Sequence, residues 1–287
     1  MVIGGEKMEY NNELTNYRGR DIYITEKIII KQPTLGEIEE FGEELYFRTI
    51  QTFTSVGADL KWQLWDYYHI DYTKISDYDL FIRFISRWVS SGKYIYQKML
   101  ENPDKYQNEL NGLTEEKINE ILINPMRLIL GELDFADFIP VKKRYSEDNE
   151  QIVLYNPQRD IVIDKLIYSK MVGIIRKIHG FKRNGETPMN ERTKMDLIED
   201  ARDDAFFSKD KPFKSVILPM LSTLKLKAGQ LGNEKIWDMK INEFFYDAKR
   251  LGIIEESHLL LQGAYSGFAN LKGVDKTKLD MFRAIEE

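Results

Sequence analysis

The sequence predicts a mostly α-helical fold with a minor β element. Apolar residues recur at helical spacing in several stretches, and capping residues precede them. The β-like runs are confined to an N-terminal strand and a central β-hairpin. Hydrophobic residues make up 43% of the 287 residues, which favours a packed core over a disordered chain. We therefore expect one or two folded domains.

The β element is predicted from two regions rich in β-branched residues. Ile22–Ile30 indicates a strand, or two short strands broken at Glu26 and Lys27. Ile152–Tyr155 and Asp160–Ile163 flank an Asn-Pro-Gln-Arg sequence that is typical of a turn. The second region therefore predicts a β-hairpin.

The helices are predicted from start signals and apolar spacing. Thr34 and Glu37 form an S/T-x-x-E capping box, in which each side chain satisfies a backbone amide of the first helical turn. Near the C-terminal end, the spacing predicts separate helices over Trp237–Leu251 and Ser257–Gly267. A further helical segment is expected over Asp275–Ile285.

A polar connector after the break at Asn102 and Pro103 suggests how the chain is divided. We expect a flexible N-terminus over residues 1–20 and an N-terminal helical domain with an edge strand over residues 21–107. Residues 108–287 are expected to form a C-terminal helical domain that contains the β-hairpin.

Composition and charge exclude several classes of function. The net charge is −6, whereas a general nucleic-acid surface usually requires a basic excess. No cysteine is present, so thiolate chemistry and disulfides are excluded. No apolar run approaches the ~18 residues of a membrane span, and the first residues do not resemble a signal peptide. We expect a cytoplasmic protein with neither nucleic-acid nor membrane partners.

The histidines do not form a recognisable catalytic or metal-binding pattern. None of His69, His179 and His258 has a second histidine at metal-ligand spacing. His69 is flanked by Asp66 and Asp71 and is a candidate general base, although a hydrogen-bonded structural role is the simpler interpretation. We therefore assign no catalytic residue, no metal ligand and no cofactor.

The enzymatic alternative is a divalent-metal-dependent nuclease. Asp160, Asp164 and Lys165 lie beside the predicted hairpin, and paired carboxylates are suited to a divalent cation. However, Asp164 and Lys165 are adjacent, so the acid-x-Lys spacing of such nucleases is not met. This hypothesis remains the runner-up from a different functional class.

Aromatic residues are dense between Trp62 and Trp88. Trp and Tyr combine a large apolar area with a polar group and dominate the binding energy of many protein interfaces. We predict protein-binding roles for Trp62, Trp65 and Tyr68. Phe245 and Tyr246 are a second candidate pair, because three consecutive aromatic residues on a helix span more than one face.

Several short stretches resemble one family of tailed-phage proteins. They are Gln32–Ile38, Gly42–Glu43, Tyr46–Phe47, Leu64–Asp66, Tyr78–Phe81, Trp237–Met239 and Gly263–Phe268. In these stretches the chain is similar to the tail assembly chaperones of siphophages and prophages of Gram-positive bacteria, which are encoded just before the tape measure protein.

The resemblance implies a non-enzymatic scaffold in the cytoplasm of the bacterial host. Its partners would be the tape measure protein or the tail-tube protein, and it would leave before the virion is complete. A permanent structural component of the tail or connector is the alternative within the same class. Self-association into a homo-oligomer is compatible with either role.

Overall fold

The structure is a computed structural model that describes residues 13–146, 149–228, 235–267 and 274–285. It is 60% helical and has two small antiparallel sheets, which confirms the mostly α class with a minor β element. Residues 1–12 of the predicted flexible N-terminus, and Phe268 at the end of one resembling stretch, lie outside the described residues.

The helices of the first part of the chain are α1 (Glu13–Tyr17), α2 (Leu35–Phe41), α3 (Glu43–Thr54), α4 (Lys61–Tyr68), α5 (Asp77–Leu80), α6 (Ser86–Trp88) and α7 (Lys93–Glu101). Those that follow are α8 (Gln107–Asn111), α9 (Glu115–Leu122), α10 (Arg127–Leu130), α11 (Lys165–His179), α12 (Glu191–Ser208), α13 (Ile217–Ala228) and α14 (Ile241–Tyr265). A π-helical turn, Phe81–Ile85, joins α5 to α6.

The strands are β1 (Ile22–Tyr23), β2 (Ile29–Ile30), β3 (Ile139–Ser146), β4 (Asn149–Asn156) and β5 (Ile161–Ile163). Strands β1 and β2 pair antiparallel, which confirms the prediction of two short strands broken at Glu26 and Lys27. Strands β3, β4 and β5 form an antiparallel sheet in that order, and β4 and β5 are the predicted hairpin.

Strand β3 was not predicted from the sequence. Its centre is Lys142, Lys143 and Arg144, a basic run that is also typical of a solvated loop. Pairing of Val141 with Val153 places this run in the sheet next to β4. The sheet order therefore depends on a long-range pairing that the local composition of β3 does not favour.

The capping box at the start of α2 is confirmed. The Thr34 Oγ1 accepts a hydrogen bond from the Glu37 amide at 3.1 Å, and the Glu37 carboxylate accepts one from the Thr34 amide at 2.7 Å. This start places Leu35 and Ile38 in the core, where neither is exposed. The first resembling stretch is thus a helix start whose apolar residues are structural.

One cluster of buried side chains runs through the fold. At its centre Phe81 stacks on Tyr168 at 4.2 Å between ring centroids, and Phe53 contacts both rings. Phe135 packs on Phe53 and Phe81 from the other side of the predicted domain boundary. Buried residues of both predicted domains therefore belong to the same cluster, and the division at residue 107 stays a prediction.

The prediction of two helices at the C-terminal end is wrong, because α14 is continuous from Ile241 to Tyr265. Ser257 was predicted to start a helix, but it is buried in the middle of α14 and its hydroxyl donates to the carbonyl of Lys278 at 2.8 Å. Gly252 does not interrupt the helix, although glycine weakens a helix interior. The hydrogen bond to Lys278 therefore explains why a serine stands at position 257 inside the helix.

Two terminal expectations are also corrected. In the segment 275–285, a single 3₁₀ turn, Lys276–Leu279, replaces the expected helix, and Arg250 of α14 donates to the main-chain carbonyls of Met281 and Arg283. At the other terminus, part of the predicted flexible segment forms α1, whose Tyr17 packs on α14. No helix among the described residues is both long enough and apolar enough to span a membrane.

Candidate functional site

Helix α4 carries the first group of predicted binding residues. Leu64 is fully buried and fixes the helix on the core, while Trp62 and Trp65 are partly buried and pack against the same core. Tyr67 and Tyr68 are exposed, at 65% and 40% of their surface. Of the three residues predicted on this helix, Tyr68 is therefore the one most accessible to a partner.

Tyr68 belongs to a row of aromatic rings on the surface. Its ring centroid lies 4.4 Å from that of Phe84, which in turn lies 5.7 Å from that of Trp88. Trp88 is 41% exposed. We call Tyr68, Phe84 and Trp88 the aromatic row. Phe84 and Trp88 are four residues apart, as expected for neighbours on one helical face.

The aromatic row has a rigid base. The π-helical turn that carries Phe84 buries Phe81 and Ile85 completely, and Leu80 before it is also fully buried. π-Helical turns are rare and are frequent at functional sites. The buried residues hold the backbone of the row in place, so its exposed rings are presented without a large ordering cost.

Helix α12 covers the other side of α4 through charged contacts. Arg202 donates two hydrogen bonds of 2.8 Å to the Asp66 carboxylate, and these lower the pKa of Asp66. The buried Lys194 ammonium lies 5.6 Å from the ring centroid of Trp65 and donates to Asp71 at 2.9 Å. Trp65 is therefore covered by α12, which explains why it is not available as an exposed ring.

The contact between Lys194 and Asp71 lowers the pKa of the Asp71 carboxyl group. Desolvation raises this pKa, but hydrogen bonds from Lys194 and Thr73 outweigh it, so the pKa falls to about 2. The carboxylate is ionised at neutral pH and holds Lys194 against α4. These charged groups serve to attach α12 to α4.

The second predicted pair, Phe245 and Tyr246, divides between core and surface. Phe244 and Phe245 are buried, whereas Tyr246 is 39% exposed. The Tyr246 ring packs edge-to-face on Tyr17, with 5.2 Å between centroids. The expectation that one of the three consecutive aromatic residues points outward is met by Tyr246. Phe245 contacts Phe47 inside the fold.

His179 and His69 have structural positions. His179 is buried; its Nδ1 lies 2.7 Å from the Ile175 carbonyl oxygen and its Nε2 lies 2.7 Å from the Tyr46 hydroxyl. Because the carbonyl can only accept, Nδ1 carries the proton and Nε2 accepts from Tyr46. His69 ends α4 in the left-handed conformation, with φ of 54°, and none of the described residues joins it to a carboxylate by a hydrogen bond.

The two carboxylates of the nuclease hypothesis are engaged elsewhere. The Asp160 carboxylate pairs with Lys27 at 3.2 Å, and this hydrogen bond lowers its pKa. The Asp164 carboxylate caps α11 by accepting from the Ile167 amide at 2.9 Å. Within the described ranges, no group of three or more histidine, aspartate or glutamate residues is placed to hold a metal ion. The geometry gives the nuclease hypothesis no support.

Comparison with known protein families, characterised proteins and solved structures finds no match to this chain. The aromatic row is therefore defined by its geometry alone. From the sequence we had selected Tyr68 as a binding residue; Phe84 and Trp88 belong to the same aromatic-rich stretch but were not selected. Their helical spacing was visible, but the contact between Phe84 and Tyr68 depends on how α4 folds back on the π-helical turn.

Proposed function

We propose that this protein is a non-enzymatic phage tail assembly chaperone that binds a long helical partner through the aromatic row. The resemblance of several stretches to such chaperones supports the class of function. The observation that carries the binding role is a contiguous set of aromatic rings on a buried and rigid base, in which Tyr68 and Trp88 are exposed and the partly buried Phe84 joins them. Aromatic residues of this kind are enriched among the residues that dominate protein interfaces.

The spacing of the row suits a helix. Successive ring centroids are 4.4 and 5.7 Å apart, and one turn of an α-helix rises about 5.4 Å. Apolar side chains one turn apart on a partner helix would meet successive rings of the row, as in helix-in-groove recognition. A tape measure protein, which is long and helical in the resembling family, offers such residues repeatedly.

The charge of the chain suits a transient role. With a net charge of −6, unloaded copies repel one another. Repulsion of this kind disfavours permanent self-assembly and leaves the partner contact to apolar residues. Binding to the tape measure protein in the host cytoplasm, followed by release as tail-tube subunits assemble, is the sequence of events that we propose.

The test is co-expression with the long helical protein encoded beside this gene, with solubility and co-purification of that partner as the readouts. The wild-type protein should keep the partner soluble. Tyr68→Ala and Trp88→Ala should each reduce co-purification about tenfold or more, the loss expected for a residue that dominates an interface. Tyr265→Ala is the matched control, because Tyr265 is 89% exposed and lies outside the row.

Three outcomes would contradict the proposal. A partner that is soluble alone and does not bind removes the chaperone role. Equal loss in the Tyr265 control shows that the row is not the contact. Finally, mass spectrometry of purified particles distinguishes a departing chaperone from a structural component, because stoichiometric amounts of this chain in finished virions would indicate the latter.

A further inference from the structure

A concave site that shares no residue with the aromatic row lies between three helices. Helices α1, α11 and α14, together with residues 181–182 and 284–285, line an open cavity of about 320 Å³. This volume is at the lower end of the range of small-molecule sites, roughly 300–1,000 Å³. The cavity has room for one ring system with a small substituent.

Aromatic side chains form part of its wall. Tyr17 and Tyr246 meet edge-to-face, and Phe245 and Phe181 also line the cavity. The Tyr17 hydroxyl donates to Asp247 at 3.0 Å; burial, with Asp247 beside it, raises the pKa of Tyr17 to about 12. Tyr17 is therefore neutral and fixed at physiological pH. The wall offers flat apolar surface that a planar ring can cover.

The charged lining is mostly basic. Arg176, Lys177, Lys182 and Lys249 contribute four cations, and Glu13 is the one acidic side chain among the described lining residues. The Arg176 guanidinium donates to the carbonyl of Thr54, which is not a lining residue, so we assign anion binding to lysine side chains. In a chain with a net charge of −6, this local excess of cations favours an anionic group.

A glycine keeps one wall of the cavity bare. Gly173 lies in the middle of α11, where glycine destabilises a helix relative to alanine. A Cβ added to Gly173 would meet no atom within 4 Å, so packing of neighbouring atoms does not require glycine at this position. The absence of a side chain leaves space next to Arg176 and Lys177 that a ligand can use.

From the aromatic wall, the basic lining and the bare helix face, we propose that this cavity binds a planar aromatic ring that carries an anionic group, either a phosphate or a carboxylate. The ring stacks against Tyr17 and Tyr246. The anion is held by Lys182 and Lys249. This site is independent of the aromatic row and of the proposed chaperone role.

The first experiment separates the two parts of the ligand. Isothermal titration calorimetry of the full chain would use 1-naphthyl phosphate, 1-naphthol and inorganic phosphate. We expect 1-naphthyl phosphate to bind at least about tenfold more tightly than either fragment, because only it uses both parts of the site. Equal affinity for 1-naphthol, or no binding of 1-naphthyl phosphate at millimolar concentration, would overturn the proposal.

A further titration, with 1-naphthoate, shows which anionic group the site accepts. 1-Naphthoate carries a carboxylate on the same ring. If it binds as tightly as 1-naphthyl phosphate, a single carboxylate is sufficient. If it binds more weakly than the phosphate but more tightly than 1-naphthol, the site prefers the larger anion. Either result supports an anion-bearing ring. If 1-naphthoate binds no more tightly than 1-naphthol while 1-naphthyl phosphate does, the anion that the site accepts is phosphate and not carboxylate.

Variants that are expected to lower or to raise the affinity for 1-naphthyl phosphate show where the ligand binds. Gly173→Leu fills the cavity and should abolish binding, while Gly173→Ala, which leaves most of the space, should retain it. Lys249→Met should weaken 1-naphthyl phosphate about tenfold, as for loss of one charge-assisted hydrogen bond. Glu13→Gln should strengthen it. Unaltered affinity in Gly173→Leu would place the ligand elsewhere and refute the assignment.

Two controls make these outcomes interpretable. Thermal unfolding of each variant shows whether it is folded, and Gly173→Ala should be at least as stable as the wild type. Tyr68→Ala, in the aromatic row, should bind 1-naphthyl phosphate normally. Loss of binding in Tyr68→Ala would mean that the probe binds to the row and not to this cavity.

Discussion

Burial of His179 predicts that the protein loses stability in mild acid. The imidazole is buried and lacks contact with water, which lowers its pKa to about 4. In the unfolded chain a histidine has a pKa of about 6.5. Between these values the unfolded chain binds a proton that the folded protein does not. The contribution to the free energy of unfolding is complete above pH 6.5 and is lost as the pH falls towards 4.

The magnitude follows from the two pKa values. At pH 5 the protonated form of an unfolded histidine exceeds the neutral form about thirtyfold. In the folded protein His179 remains mostly neutral at that pH. Protonation of the unfolded state therefore lowers the free energy of unfolding by about 2 kcal/mol between pH 7.5 and pH 5.

Urea denaturation of the wild type and His179→Gln at a series of pH values isolates this effect. Carboxylates with lowered pKa values, such as Asp66 and Asp71, also affect acid stability, but they are present in both proteins. The stability difference between wild type and variant should therefore shrink by about 2 kcal/mol from pH 7.5 to pH 5.

A parallel decrease in both proteins would refute the argument from burial. If the variant does not fold, the histidine signals of the wild type can be followed by NMR instead. His179 should then remain neutral down to about pH 5, as its pKa requires. Titration of the His179 signal near pH 6.5 would show that the imidazole is not desolvated as the structure indicates.

Three further predictions concern local contacts, measured by urea denaturation at pH 7.5. Thr34→Ala should lower the free energy of unfolding by about 1 kcal/mol, because it removes the acceptor of the α2 capping box. Asp134→Ala should cost about 3 kcal/mol, because it leaves the buried amide and hydroxyl of Ser91 without their acceptor. Arg202→Met should cost less than about 1 kcal/mol, because both members of its ion pair are partly exposed.

The order of these effects is as informative as their size. Thr34→Ser keeps the hydroxyl acceptor and should be close to wild type, which separates capping from loss of the methyl group. If Arg202→Met costs as much as Asp134→Ala, then burial does not decide the strength of these polar contacts. Equal stability of Thr34→Ala and wild type would mean that the capping box contributes nothing measurable.

The sequence by itself determined the features that depend on neighbouring residues. The capping box at Thr34 is local, because the side chain and the amide that it accepts from are three residues apart. The turn between β4 and β5 is also local, since the Asn156 side chain accepts from the amides of Gln158 and Arg159. Such contacts form largely irrespective of the rest of the chain.

The tertiary structure decided the features that depend on distant residues. Ser257 has the local properties of a helix start, and only the contact with Lys278 places it inside α14. Strand β3 exists through pairing with β4 despite its basic centre. The sequence shows that Phe245 and Tyr246 are adjacent aromatic residues, but it does not decide which of the two is buried. That is set by the helices packed around α14, because burial is a property of the whole fold.

The same distinction applies to the candidate sites. Aromatic density between Trp62 and Trp88 was visible in the sequence, and it led to Trp62 and Trp65, which the fold packs against the core. The aromatic row and the basic cavity each join residues from separate segments. Their geometry comes from the packing of α4 on the π-helical turn and of α11 on α14, because no local pattern fixes the distance between side chains on different elements.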